Sequence, residues 1–318
     1  MKKRVNKIII ILLCVIIALI VAIAFFVINK IKDSYKEISS ENIIINEGNE
    51  EKLQGYRNIV ILGIDSNEDD YEGERRSDCI IIASLNNETK EVKLVSVYRD
   101  TYLYITDKGL DKVNHAYAKG EEQCSINTLN ENLDLDISEY VTINFEAVKE
   151  VVDSIGGVEI TVTDKEATQI KGIEKGGTYT LNGSQALQYG RIRKIDNDYA
   201  RTERMRTVLI ETFNKAKEID TVTLLSLVTK ILPHVQTNIS TTEIMKIANS
   251  MNDYKVTLNT GWPYEVQGIT LDAWYGVPVT LEENVAKLHE DLFNEKDYEP
   301  TEKVKEYSQK IIDKTGYR

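Results

Sequence analysis

The sequence predicts a mixed α/β (α+β) protein: a mixed central sheet flanked by helices, forming a single extracytoplasmic domain behind an N-terminal transmembrane helix. Three observations predict it. Residues 8–28, IIIILLCVIIALIVAIAFFVI, are apolar without interruption and long enough to cross a bilayer as a helix. Short β-branched runs of the buried-strand kind alternate with segments whose apolar residues recur at helical spacing. The 318 residues are 42% hydrophobic, enough for a sizeable core, and show no internal repeat or low-complexity tract.

The apolar run is read as an uncleaved anchor. A cleaved signal peptide has a shorter apolar region, and the only A-x-A at the run, Ala22-Ile23-Ala24, is followed by four more apolar residues. Leu13 precedes Cys14 where bacterial lipid attachment calls for a small residue, which disfavours a lipoprotein. Lys2, Lys3, Arg4 and Lys7 precede the span with no acidic residue among them, whereas Lys30, Lys32 and Lys36 are mixed with Asp33 and Glu37. This bias puts residues 1–7 in the cytoplasm and the rest outside, a single-pass plasma-membrane protein. Five of the 39 basic residues fall in the first thirty positions; the remaining 34, against all 51 acidic residues, give residues 31–318 a formal charge of -17. A domain so acidic repels nucleic acid. Cys79 and Cys124 would lie outside; a disulfide and two buried thiols are both open to them.

Residues 29–55, rich in Ser, Glu, Asn and Lys, read as a stalk with a first strand at 43–45, and the folded extracytoplasmic domain as 56–293. Residues 58–64, 79–85 and 91–98 are three strands, expected as an antiparallel meander. In that arrangement the end of the first, the start of the second and the end of the third share one edge. Asp65, Arg76, Asp78, Arg99 and Asp100 then converge there. A helix is expected from about Glu121 to Asn132, a strand at 140–144, and a helix at 145–155 stopped by Gly156-Gly157. Residues 158–162 read as a strand, as do 254–258 and 268–275. Helices are expected at 221–235, ended or kinked by Pro233, at 241–252 after the capping box Ser240–Glu243, and at 281–293 after that of Thr280–Glu283. Residues 294–318 read as a charged tail or peripheral helix.

One stretch stands out. Residues 189–206 place five arginines and a lysine in a chain of formal charge -12. Arg offers a planar, permanently charged fork that matches phosphate oxygens; a solvated helix face laced with ion pairs is the alternative. Asn182 reads as the N-cap of a short helix and Gly190 as its C′ residue, which would let Arg191 and Arg193 face one anion from an extended segment. Asn197 or Asp198 would cap a longer helix with Arg201 in its first turn and Arg201, Met205, Val208 and Thr212 on its inner face. Arg204 is open between anion contact and ion pair, and Lys194 and Arg206 read as surface charge.

No Walker loop, G-x-S-x-G elbow, C-x-x-C pair or H-E-x-x-H is present, and His115, His234 and His289 are too scattered to nominate a zinc site. What remains is two carboxylates and a ring of arginines, which suits hard-metal-assisted chemistry on phosphate. Asp65 and Asp78 can hold Mg²⁺ or Mn²⁺, and the arginines can offset charge on a phosphate leaving group.

The chain resembles the LytR-CpsA-Psr family in the order of its motifs. These are Gly63-Ile64-Asp65, Arg76-Ser77-Asp78, Tyr98-Arg99-Asp100-Thr101, Lys112-Val113-Asn114-His115-Ala116-Tyr117, Leu181-Asn182-Gly183 with Ala186-Leu187, Arg191-Ile192-Arg193, and Asp198-Tyr199-Ala200-Arg201-Thr202-Glu203-Arg204. The likeness covers about residues 58–215, and such an ordered set is far more specific than any single motif. It implies an extracytoplasmic enzyme of Gram-positive walls that transfers a glycopolymer, such as teichoic acid or capsule, from a polyprenyl-pyrophosphate carrier to peptidoglycan. By motif position it implies Mg²⁺ at Asp65 and Asp78, and pyrophosphate binding by Arg76, Arg99, Arg191, Arg193 and Arg201. Asp65, Asp78 and Asp198 are the alternatives for general base. A pyrophosphatase using water as nucleophile, and a non-catalytic lipid-sensing regulator, are the rival readings. Two positions depart from the family pattern: Met205 stands where a glutamine commonly contacts pyrophosphate, and Tyr98 where proline usually precedes Arg-Asp, a change expected to affect backbone stiffness more than chemistry. A lipid carrier needs an apolar groove; helices 145–155 and 207–232 could line one, although core packing is the preferred account of their apolar faces.

Overall fold

Alternation along the first strand sets the architecture. In β1 (Tyr56–Ile64), Val60, Leu62 and Ile64 are fully buried on one face while Ile59, Ile61 and Gly63 point to the other. The computed structural model describes residues 35–36, 38, 40–64 and 75–318; the expected membrane span at 8–28 and Asp65 lie outside the described residues. β2 (Ser77–Asn86) and β3 (Glu91–Val97) continue from β1 as the expected antiparallel meander, with Ile61 opposite Ile81 and Ile82 opposite Val95. β6 (Glu139–Ile143) adds in parallel to β1, β9 (Val235–Thr237) antiparallel to β6, and β10 (Lys255–Trp262) parallel to β3. The result is one mixed six-stranded sheet in the order β10-β3-β2-β1-β6-β9.

Ten α-helices lie around it among the described residues, beginning with α1 (Asn49–Lys52). One face is filled by α2 (His115–Leu133), α9 (Leu281–Phe293) and α10 (Glu302–Thr315), whose Leu129, Leu288 and Ile311 join Val60, Leu62 and Val95 in the main core. The opposite face is covered by α3 (Phe145–Ser154), α5 (Gly183–Gly190), α6 (Asp198–Lys217), α7 (Thr221–Ile231) and α8 (Thr241–Asn249). Three hairpins sit outside the sheet: β4 (Tyr102–Ile105) with β5 (Gly109–Lys112), β7 (Val158–Val162) with β8 (Gly177–Leu181), and β11 (Val266–Thr270) with β12 (Trp274–Pro278). Between β7 and β8 runs the short α4 (Asp164–Ala167), closed by a capping box from Thr163.

Local signals in the sequence account for most boundaries. Asn144, Asn182, Asn197, Asp220, Ser240 and Thr280 each cap a helix by accepting a backbone N–H three residues on. Gly156 and Gly157, both at positive φ, stop α3, and α7 passes into a 3₁₀ turn at Pro233. α2 carries non-helical backbone at Gly120 and Glu121, so its long second part begins where the sequence places it.

Several expectations are corrected. Residues 43–45 are not a strand: the Ile44 N–H donates to Asn127 Oδ1 and its carbonyl accepts from Asn130, so amide side chains of α2 replace a neighbouring strand. Leu53, in the segment read as stalk, lies in the main core. The single strand expected at 268–275 is a hairpin turning at Leu271–Ala273, which a period-two pattern alone does not reveal. The charged segment 294–318 forms α10 and buries Val304, Tyr307, Ser308 and Ile311 at i, i+3, i+4 and i+7. Val304, Ile311 and Ile312 are the only spaced aliphatics of this segment, and Tyr307 adds a contact by stacking on Tyr104 and donating to Glu131.

Candidate active site

The meander brings the head of β2 and the tail of β3 to one edge of the sheet, and there Asp78 collects guanidinium groups from three segments. Arg99, just past β3, donates from Nη1 to Asp78 Oδ2 at 3.0 Å, and Arg193, from the loop after α5, reaches the same oxygen from Nη2 at 3.3 Å. Arg201, in the first turn of α6 and 1% exposed, donates to the Asp78 backbone carbonyl at 3.4 Å. Asp100 is drawn in by Arg99 Nε at 3.4 Å and by Lys112 Nζ at 2.6 Å. Arg76 stands exposed at the head of β2. Arg191 lies with its guanidinium carbon 4.0 Å from the centre of the Phe145 ring, a cation–π contact. The catalytic and metal role expected of Asp65 falls outside the described residues, as does the side chain of Asp198, whose backbone opens α6.

The basic stretch therefore divides differently from its sequence reading. Gly190 is not a left-handed C′ residue. It closes the last turn of α5 against α6, where a Cβ built on it would make an ordinary contact with Met205 Cγ at 3.5 Å. Arg191 caps the helix with φ -101, and the two arginines diverge, one to Phe145 and the other to Asp78. Arg204 does not join the cluster: it forks onto Asp196 at 2.6 and 2.8 Å, reaches Glu166 at 3.3 Å and donates to the Ile192 carbonyl at 2.9 Å. This pairing holds the Asp196 carboxyl below its ordinary range. Arg206 is buried rather than surface charge, donating from Nε to Asn259 Oδ1 at 2.5 Å, and desolvation lowers its pKa.

Asp78 also stands on the rim of an apolar cavity of about 210 Å³ between the sheet and α3, α5 and α6. Its walls include Ile61, Ile81, Val141, Val152, Leu187 and Val208. A second apolar cavity of about 320 Å³ shares Ile61 and Val141 and continues under α7 and α8 past Val228, Ile247 and Met251. The helices whose apolar faces read chiefly as core thus leave space against the sheet. Met205 belongs to this wall, where its side chain adds to the apolar lining. Cys79 lines the same cavity as a free thiol, and burial pushes its pKa up to about 11; Cys124 is free and buried elsewhere.

The donor set bears on a divalent cation. Among the described residues there is no group of three His, Cys, Asp or Glu side chains placed to hold a metal ion. Mg²⁺ needs only one or two carboxylates and completes its shell with water and phosphate oxygens. Asp78 fits that requirement as a single carboxylate donor at the arginine cluster, whose Arg99 and Arg193 reach it at Oδ2.

A sequence profile described as the LytR_cpsA_psr family matches residues 21–290. The chain belongs to this family. It is 33% identical over 224 residues to the polyisoprenyl-teichoic acid–peptidoglycan teichoic acid transferase TagT of Bacillus subtilis (strain 168), covering 66% of this chain and 70% of that protein. The structure superposes with a TM-score of 0.64 on TagT bound to LIIa-WTA, at 26% identity over 76% of this chain and 91% of that one. It also matches the LytR-CPS2A-psr family protein YwtF (TagT) with bound octaprenyl pyrophosphate lipid, with a TM-score of 0.59 and 26% identity over 75% of this chain and 91% of that one.

Within this LytR_cpsA_psr chain, sequence reasoning missed Phe145 as the shelf beneath Arg191 and undervalued Tyr98. Tyr98 packs edge-on against Tyr199 at 4.4 Å, and its hydroxyl occupies the space a Cβ on Gly261 would take, 2.1 Å away. The aromatic at position 98 was the only signal, and the fold had to supply its partners.

Proposed function

We propose that this protein is a membrane-anchored phosphotransferase that moves a glycopolymer of the teichoic-acid kind from a polyprenyl-pyrophosphate carrier to a hydroxyl of peptidoglycan on the outer side of the plasma membrane. One observation carries the reading: guanidiniums from three segments gather around Asp78 at the mouth of an apolar cavity. A pyrophosphate head joined to a prenyl tail is the chemistry that needs both at once. Family membership and the bound lipid of the YwtF structure support the same reading.

In this mechanism the prenyl chain lies against Ile61, Val141 and Val208, and Arg99, Arg193 and Arg201 hold the pyrophosphate, with Arg76 and Arg191 at its edge. An acceptor oxygen forms a bond to the phosphorus nearer the glycan while that phosphorus loses its bridging oxygen to the lipid side. Polyprenyl phosphate leaves, and the hydroxyl proton passes to one of Asp65, Asp78 and Asp198. The fixed guanidiniums meet the charge that grows on the leaving phosphate. Mg²⁺, or Mn²⁺, held by Asp78 and Asp65, would supply further charge neutralisation at the same oxygens.

The test is incubation of the full chain in detergent with lipid-linked glycan, Mg²⁺ and peptidoglycan fragments. A covalent glycan–peptidoglycan product that disappears in Asp78→Ala and Arg193→Ala is expected. Release of free glycan phosphate without coupled product would overturn the transferase reading in favour of a hydrolase.

A further inference from the structure

Beyond the tail of β3, on the side of the charged cluster away from the apolar cavity, lies a cleft of about 270 Å³ lined by Tyr98, Asp100, Thr101, Asn197, Tyr199 and Trp274. It is built on fixed backbone. The Gly276 N–H donates to the Asp100 carbonyl at 3.0 Å, so the β11–β12 hairpin is tied beside the strand that ends in Arg99 and Asp100. Of the two tryptophans Trp262 is fully buried and Trp274 is 46% exposed. Trp274 is nonetheless held in place: a Cβ built on Gly268 would lie 2.8 Å from its indole, so that glycine lets the ring pack closely on the hairpin while much of it stays open. Opposite it, Tyr98 is seated over Gly261 and packed edge-on against Tyr199.

An aromatic ring supported on one side and open on the other, with the Asp100 carboxylate and the exposed Asn197 amide on the same cleft, matches a saccharide: the C–H face of the sugar stacks on the ring while its hydroxyls meet the polar groups. The position selects which saccharide. In-line displacement places the incoming oxygen opposite the leaving one. With polyprenyl phosphate leaving toward the apolar cavity, the acceptor must approach from the other side, where the cleft opens. We propose that this cleft seats the acceptor, a saccharide ring of the peptidoglycan glycan strand stacked on Trp274, with Tyr98 and Tyr199 forming the facing wall. The proposal rests on the transferase reading above.

The full chain in detergent, titrated with a peptide-free tetrasaccharide of alternating N-acetylglucosamine and N-acetylmuramic acid, should show a saturable change in tryptophan fluorescence. Calorimetry should give binding about tenfold weaker for Trp274→Ala and near the parent value for Trp274→Phe, while octaprenyl pyrophosphate binds all three proteins equally. Equal tetrasaccharide affinity in parent and Trp274→Ala overturns the assignment. So does a Trp274 response to the carrier-free donor glycan in place of the tetrasaccharide, which would make the cleft a donor subsite. Failure of the parent to bind octaprenyl pyrophosphate counts against the transferase reading itself and is seen separately in the lipid arm.

Discussion

Truncating Arg204 and truncating Arg193 should have opposite signatures, although both arginines come from the same basic run. Arg204 makes three close charge-assisted bonds, two to Asp196 and one to the Ile192 carbonyl, and leans on Glu166. Its side chain is 5% exposed, that of Glu166 12% and that of Asp196 28%. Breaking a fully buried pair costs about 3–5 kcal/mol; partial access of water to Asp196 reduces the figure for Arg204→Ala to about 2–4 kcal/mol. For a domain of this size that lowers Tm by roughly 4–8 °C. Arg193 is 54% exposed and makes one contact at 3.3 Å, so Arg193→Ala should change stability by no more than about 0.5 kcal/mol. It loses instead a charge-assisted bond to phosphate, which weakens octaprenyl pyrophosphate binding by about ten- to 150-fold. Thermal unfolding by circular dichroism and lipid binding, both on the full chain in detergent, separate the two. An Arg204→Ala protein that melts like the parent and no longer binds lipid would refute the division of the run drawn here.

Three further outcomes follow from the same geometry. Phe145→Ala removes the ring under Arg191 and should weaken pyrophosphate binding about two- to fivefold, with Phe145→Tyr close to the parent. Because burial raises the Cys79 pKa to about 11 from 9.0, its thiolate fraction at pH 8 falls by about two orders of magnitude; alkylation mapped by mass spectrometry should be slow there and accelerate as pH rises through 11, and bound lipid should suppress it. Gly261→Ala drives a Cβ into the Tyr98 ring and should destabilise the domain by about 1–3 kcal/mol, a loss recovered when Tyr98→Ala is added; additive losses in the double variant would show that the two positions do not compete for the same space.

The sequence by itself determined the meander β1–β3, the caps at Asn182, Asn197, Ser240 and Thr280, and the meeting of Asp78 with Arg99, because an antiparallel meander fixes which strand ends share an edge and capping residues act on their own backbone. Helix breaks at Gly156-Gly157 and Pro233 were legible for the same local reason. What the sequence could not decide were questions of partnership across the chain. Arg193, Arg204 and Arg206 look alike in a linear run, yet one faces Asp78, one is locked to Asp196 and Glu166, and one is buried beside Asn259. A guanidinium's role depends on which carboxylate or amide the fold brings to it. The apolar faces of α3, α5 and α6 predicted burial, but whether they close on the sheet or leave a cavity depends on how side chains from six elements fill a shared volume. Met205 and Tyr98, departures without a rationale in the sequence, acquired one only when the fold placed the first in the cavity wall and the second over Gly261 beside Tyr199. Backbone signals are short-range and survive in one dimension; charge pairing, cavity shape and aromatic shelves are made by residues far apart in the chain, so only the tertiary structure decides them.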